Sequence, residues 1–351
     1  MPPRKEYEKY LEGIWEREYL TNNGPLVREL EQKLQDYLGV GNLLYLSNGT
    51  IALQIAIKAL GLKGEIITTP FSYVATTSSI VWEGCEPVFV DIDPNTLNIN
   101  PELIEDAITE NTTGILATHV FGNPCDIEAI QDIADKHNLK VIYDAAHCFG
   151  TQYKGKSVLA FGDISTISFH ATKLFHTVEG GAVITNDEEL SYRMSRMRNF
   201  GHAGFEKFDG IGINGKNSEY HAAMGLCNLT HIKSILASRK EQCLLYKELF
   251  KEAPVKSIKI QYESQWNYAY YPVIFESEEV MLMVKKDLEL KEIYPRRYFY
   301  PSLDTLDYVM TKELEISKNI SKRILCLPLY FELKQSQQKE IVKIIQRVCN
   351  G

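Results

Sequence analysis

The 351-residue chain predicts an α/β fold: a mostly parallel central sheet flanked by helices, followed by a smaller C-terminal α/β domain. Apolar runs of strand length alternate with helical segments from Leu43 to Thr185. Those runs are near-continuous rather than alternating in polarity, as strands covered on both faces must be. At about Ile232 the pattern changes, which sets a large domain at 1–234, including the N-terminal segment, and a small one at 235–351.

Taken in order, Glu6–Trp15 carries helical periodicity and runs into Leu20-Thr-Asn-Asn-Gly-Pro-Leu-Val27, whose Asn-Asn-Gly-Pro is turn chemistry. Leu26–Leu38 reads as an amphipathic helix on Leu30, Leu34 and Leu38. Leu43–Ser47 is strand-like, and Ser47-Asn-Gly-Thr50 caps an apolar helix over Ile51–Leu60. Strands recur at Glu65–Thr69, Pro87–Asp91, Gly114–Thr118, Lys140–Asp144, Ile164–Phe169 and Ala182–Thr185. Helical stretches separate them, one ending at Trp82 and others over Pro101–Ile108 and Ile127–His137. Beyond the sheet, Glu188–Phe200 and Ser218–Leu229 read as helices. The small domain is expected to hold helices at Ile235–Phe250, Glu278–Leu288 and Gln335–Val348 and a strand at Tyr268–Phe275.

A content of 44% hydrophobic and 24% charged residues is that of a globular domain, and a formal net charge of −8 without a basic run argues against nucleic-acid binding. No apolar run approaches the roughly 20 residues a membrane span needs, and the N-terminal charges are not followed by the apolar stretch of a signal peptide. Seven cysteines, odd in number and without metal-type spacing, suit reduced thiols and a cytoplasmic location, with no metal site expected.

Chemistry concentrates where strands end, the place at which ligands collect in such sheets. Lys173 follows a buried strand in Ser168-Phe-His-Ala-Thr-Lys-Leu-Phe-His-Thr-Val-Glu-Gly-Gly181. Burial penalises the charged amine, so a lysine here is poised as a nucleophile that can form a Schiff base with an aldehyde such as pyridoxal phosphate; a plain surface lysine also fits this residue alone. Asp144 closes a strand before Ala-Ala-His147, a carboxylate suited to a protonated pyridine nitrogen or equally to backbone N–H groups. Asn48-Gly-Thr50 offers N–H donors to a phosphate or simply caps a helix. Tyr73, after Thr69-Pro70, can lie against a planar ring or belong to the core.

Taken together and in this order, Ser-Asn-Gly-Thr, Pro-Phe-Ser-Tyr, Tyr-Asp-Ala-Ala-His and Ser-Phe-His-Ala-Thr-Lys with Glu-Gly-Gly resemble the DegT/DnrJ/EryC1/StrS family of pyridoxal-phosphate-dependent sugar aminotransferases, from about Thr21 to the C-terminus. The resemblance implies an aspartate-aminotransferase-like fold (fold type I) and a homodimer with active sites at its interface. It implies Lys173 as the Schiff-base lysine and Asp144 as partner of the ring nitrogen. His147 would contact the ring face or phenolic oxygen, Gly49, Thr50 and Ser168 would hold the phosphate, and Tyr73 would stack. Asn214, in Gly210-Ile-Gly-Ile-Asn-Gly215, would reach the phosphate of the other subunit. Thr21, Lys216, Arg297 and Tyr298 would bind substrate.

Relatives that dehydrate the sugar at C3 carry histidine at the lysine position, so Lys173 implies amino transfer. The expected reaction takes the amino group of L-glutamate, through the pyridoxamine phosphate form, to C4 of dTDP-4-keto-6-deoxyglucose, a step toward surface polysaccharide such as O-antigen. The alternative is a C3 amination of a 3-keto isomer. The letters Gly210-Ile-Gly-Ile-Asn-Gly215 also match a dinucleotide fingerprint, the basis for a nicotinamide-dependent sugar oxidoreductase, but polar Glu206-Lys-Phe-Asp-Gly210 precedes them where a strand is required. A non-catalytic regulator on the same fold is a further alternative, against which intact Lys173 and Asp144 stand. Tyr330, in Leu-Pro-Leu-Tyr330, departs from a frequent histidine of the family.

Overall fold

Seven apolar segments pair into one sheet in the computed structural model, which describes residues 1–310 and 314–350. They are β1 (Asn42–Leu46), β2 (Glu65–Thr68), β3 (Glu86–Phe89), β4 (Thr112–Thr118), β5 (Lys140–Asp144), β6 (Ile164–Ser168) and β7 (Gly181–Thr185). Their spatial order is β1-β7-β6-β5-β4-β2-β3, all parallel except β7, which runs against both of its neighbours.

Adjacent residues of each strand face opposite sides, so an uninterrupted apolar run supplies two cores at once. Ile115, Ala117, Val141 and Tyr143 join one cluster, beneath α2 (Pro25–Leu38), α5 (Ile127–His137) and the first half of α7 (Glu219–Leu249). Leu116, Ile142, Ile164 and Val183 join the other, beneath α3 (Gly49–Ala59), α4 (Val74–Trp82) and α6 (Glu188–Met197). Helix α1 (Arg4–Arg17) packs along α7.

The small C-terminal layer is built on the antiparallel pair β8 (Pro272–Ile274) and β9 (Ile324–Cys326) with α8 (Glu278–Glu289), α9 (Glu315–Arg323) and α10 (Gln335–Cys349). Two buried acids tie the chain to itself over long range. Glu219 accepts hydrogen bonds from Leu26 N at 2.9 Å and Val27 N at 3.0 Å, so it closes the N-terminus of α2, where negative charge is favourable. Asp91, just beyond β3, accepts from Ile316 N and Ser317 N, both at 2.9 Å, and pins the first turn of α9 to the sheet.

Three expected elements differ in the structure. The helices read at Ser218–Leu229 and Ile235–Phe250 are one 31-residue helix, α7, because the residues between them include no glycine or proline. The expected division at 234/235 therefore falls inside a continuous helix that serves both layers. The stretch Pro101–Ile108 forms two single 3-10 turns, Pro101–Leu103 and Glu105–Ala107, and only Pro272–Ile274 of the expected Tyr268–Phe275 is strand, Tyr268 having a positive φ of 55°.

Candidate active site

The carboxyl ends of β5 and β6 and the N-termini of α3 and α4 surround a cavity of about 320 Å³. The Asn48 side chain caps α3 by accepting from Ile51 N at 2.8 Å, and the N–H groups of Gly49 and Thr50 find no acceptor among the described residues. Both residues line the cavity together with Ser168. Close approach of three backbones makes this corner. A Cβ on Gly49 would lie 3.0 Å from Ser168 Cβ, and one on Gly181 would lie 2.6 Å from the Asn48 carbonyl.

Asp144 forms the floor. Its Oδ2 accepts from Thr76 Oγ1 at 2.7 Å and its Oδ1 from Ala146 N at 3.1 Å. Burial raises its pKa above the usual carboxylate value, while Thr76, Ala146 and the nearby Lys173 pull the other way. His147 packs parallel to Phe299 and Phe121, and its Nδ1 accepts from Phe121 N at 3.2 Å, which places any ring proton on Nε2. Burial, with Lys173 close by, pushes its pKa well below the ordinary value, so the ring is neutral.

Lys173 enters from the loop between β6 and β7. That loop is held by Phe169 N to Gly180 O at 2.8 Å and Thr177 N to Phe169 O at 2.9 Å, and is anchored by Phe175 stacked on Phe149 at 4.3 Å. Burial lowers the Lys173 pKa to about 8; Asp144 opposes the shift and Arg296 adds to it. The amine is thus far closer to its nucleophilic form at neutral pH than a solvated lysine.

The structure brings Lys173, Asp144, Gly49, Thr50, Tyr73, His147, Ser168 and Tyr298 to this one cavity. Four expected residues lie elsewhere in the single chain. Thr21 and Asn214 are exposed on loops, and Lys216 sits 4.5 Å over the Phe200 ring. Arg297 turns toward the small layer, where it pairs with Glu278, donates to Lys322 O at 2.8 Å and covers the Tyr300 ring. Its neighbour Arg296 lines the cavity instead and donates to Tyr298 Oη at 2.7 Å.

Sequence reasoning also missed Thr76, His170, Glu179 and Phe299. For Thr76 a signal existed: Thr-Thr-Ser-Ser inside the otherwise apolar α4 must place hydroxyls in the interior, and buried hydroxyls need partners. The glycines at Gly210–Gly215 belong to an irregular segment with no strand before it, and the next helix begins only at Glu219, so the dinucleotide fingerprint has no structural counterpart. Among the described residues no cluster could hold a metal ion, and no helix is long and apolar enough to cross a membrane.

These residues fit pyridoxal phosphate on their own chemistry. Two unsatisfied N–H donors and a hydroxyl suit a phosphate, a buried carboxylate suits a ring nitrogen that must stay protonated, and a buried amine near its neutral form suits an aldehyde. The parallel faces of His147 and Phe299 leave an aromatic wall beside them.

Comparison with known proteins agrees. The model of the DegT/DnrJ/EryC1/StrS aminotransferase family matches residues 3–346. The chain is 45% identical to dTDP-4-amino-4,6-dideoxy-D-glucose transaminase of Shigella dysenteriae, over 99% of this chain and 97% of that one. It is 38% identical to the Escherichia coli protein of the same name, over 98% and 96%. The crystal structure of DesI in the presence of its TDP-sugar product superposes with a TM-score of 0.94 at 29% identity, covering 99% of this chain and 91% of that one. With its lysine, its buried aspartate and its phosphate-type corner in one cavity, the chain belongs to the DegT/DnrJ/EryC1/StrS aminotransferase family, whose members are pyridoxal-phosphate-dependent sugar aminotransferases.

Proposed function

We propose that this enzyme moves the amino group of L-glutamate to the C4 keto group of dTDP-4-keto-6-deoxy-D-glucose, giving dTDP-4-amino-4,6-dideoxy-D-glucose. The observation that carries the reading is full-length identity of 45% to a transaminase of that name, combined with an intact Lys173–Asp144 pair in one cavity. The second relative of the same name supports C4 over C3 amination.

When bound, pyridoxal phosphate supplies the electron sink and carries the amino group between the two substrates. Gly49 N–H, Thr50 N–H and the Ser168 hydroxyl hold its phosphate, at the positive end of α3. Asp144, steadied by Thr76 and Ala146, keeps the ring nitrogen protonated. Tyr73 and His147 confine the ring. Lys173 Nζ takes and returns the proton at the substrate carbon that gives or receives the amine, a task for which a pKa of about 8 is suited.

Thr21 would bind substrate, and Asn214, with Lys216 near it on an exposed segment outside the cavity, would reach the partner's site in a homodimer. The exposed apolar residues Phe200, Phe205, Phe208, Ile211 and Ile213 on the same segment support burial there against a second copy. Arg296 and Tyr298 face the sugar nucleotide. The product would feed surface polysaccharide such as O-antigen or lipopolysaccharide, made in the cytoplasm.

Incubation of the purified enzyme with L-glutamate and either dTDP-4-keto-6-deoxyglucose or its 3-keto isomer, read by mass spectrometry, tests the assignment. Amination of the 3-keto sugar alone would end it. Light scattering that returned a monomer would remove the shared site.

A further inference from the structure

Beside the cavity of Lys173 lies a second one of about 550 Å³, sharing Thr172 and Arg296 with it. Arg239, on α7, lines this second cavity. Its guanidinium has no hydrogen bond or ion pair among the described residues, and its Nε is sealed from solvent. Its ionisable neighbours do not neutralise it. The Cys243 thiol is pushed up to about 12 and the Tyr270 hydroxyl well above its usual value, both by burial, so neither is an anion at neutral pH. The Tyr270 hydroxyl is itself buried without a partner and lines the same cavity. The Arg239 Nε and the Tyr270 hydroxyl are unpaired and sealed from solvent, and the rest of the half-buried guanidinium lines the cavity without a partner, an arrangement that a ligand there would complete.

The remaining charged groups of the cavity are Lys291, Arg296, Glu292 and Glu340, all exposed; two bases and two acids cancel, which leaves Arg239 as the net positive charge. One guanidinium fork matches one carboxylate, whereas a diphosphate would bring surplus negative charge against Glu292 and Glu340.

We propose that Arg239 and the Tyr270 hydroxyl form the subsite for a carboxylate of the amino donor, a dicarboxylic amino acid that extends past Thr172 and Arg296 with its amine toward Lys173. This rests on the reading of the enzyme as an aminotransferase using L-glutamate. It assigns donor recognition to the helix that joins the two layers, apart from the phosphate corner.

The test reads the two half-reactions separately on the holoenzyme, by the cofactor's absorbance after rapid mixing with L-glutamate alone, then with the ketosugar nucleotide alone. Arg239→Gln is expected to raise the half-saturating concentration of L-glutamate by about 10–100-fold, the loss of one charge-assisted hydrogen bond, and that of the sugar nucleotide no more than a tenth as much. Glutarate, a dicarboxylate without an amine, should bind the wild-type holoenzyme saturably in calorimetry and fail to bind Arg239→Gln. If that variant does not fold, Arg239→Lys, which keeps the charge and loses the fork, must still raise the L-glutamate value by about threefold or more. An unchanged L-glutamate value in a folded variant overturns the proposal, as does a larger rise for the sugar nucleotide, which would make this a diphosphate subsite. Because the first half-reaction contains no sugar, a mistaken sugar assignment leaves this result readable.

Discussion

Thr76 Oγ1 lies 2.7 Å from Asp144 Oδ2 and donates the side-chain hydrogen bond that the buried carboxylate receives. Behind it, Ser72 Oγ is 2.7 Å from Thr76 Oγ1 and 2.9 Å from Thr118 Oγ1, so a chain of hydroxyls from α4, the turn before it and β4 backs the acid. A hydrogen bond to the charged form favours that form, against the desolvation that raises the pKa of Asp144. Thr76→Val keeps the shape and removes the donor. It should cost about 1–3 kcal/mol of stability and move the acid limb of the pH profile of kcat/KM to higher pH, with the greatest loss of activity at low pH. An acid limb that coincides with that of wild type would show that the contact does not govern Asp144.

Lys173→Ala should retain the fold and lose about 10²–10⁴-fold or more in amination, since both the covalent link and the proton carrier go. Borohydride reduction followed by peptide mass spectrometry should find the cofactor on Lys173 in the wild type; recovery on another lysine would refute the assignment.

The pH dependence has a definite sign. The folded-state pKa of Lys173, about 8, lies below the ordinary lysine value, so the folded chain holds fewer protons than the unfolded one between these limits. For the cofactor-free protein the burial cost is fully present below pH 8 and disappears as pH rises toward the ordinary value. The rate at which that protein takes up pyridoxal phosphate should rise with pH and reach half its plateau near 8. A half-plateau above pH 10 would mean that the amine is solvated.

Gly49→Ala would set a methyl group 3.0 Å from Ser168 Cβ, in the corner that holds the free N–H groups. Alanine suits the first turn of a helix, so stability should change little. Affinity for pyridoxal phosphate should fall by about tenfold or more, measured by equilibrium dialysis, as the corner opens by a few tenths of an ångström. Wild-type affinity in this variant would place the phosphate elsewhere.

Glu219→Gln should lower stability by about 1–3 kcal/mol, because one of two buried N–H groups at α2 loses its acceptor and the helix terminus loses a negative charge. Glu219→Ala should cost more, leaving Leu26 N and Val27 N both unpaired. Thermal melts in which the two variants match wild type would contradict this role.

Much of the sheet was legible because its signal is local. Runs such as Val141-Ile-Tyr143 are apolar on both faces, and only a covered parallel sheet uses such runs in series. The site was legible in part for the same reason: Asp144 and Ser168 are the last residues of β5 and β6, and Lys173 lies in the loop that leaves β6, so strand position carried them to the same edge. Arg296 and Arg297 show the limit. They are adjacent and chemically alike, yet one reaches the cavity and the other pairs with Glu278, a choice set by the bridge between Arg296 and Cys326 on β9.

The order of residues by itself determined the alternation of strand and helix, the motifs at the strand ends and the lysine proposed as nucleophile, because these depend on neighbours a few positions apart. Only the tertiary structure decided that Thr76 backs Asp144 from 68 positions away, that Glu219 closes a helix 193 positions earlier, and that Arg239 stands unpaired beside the lysine's cavity. Burial and pairing of charge are properties of the packed chain, and a linear pattern does not encode which polar groups the packing leaves without partners.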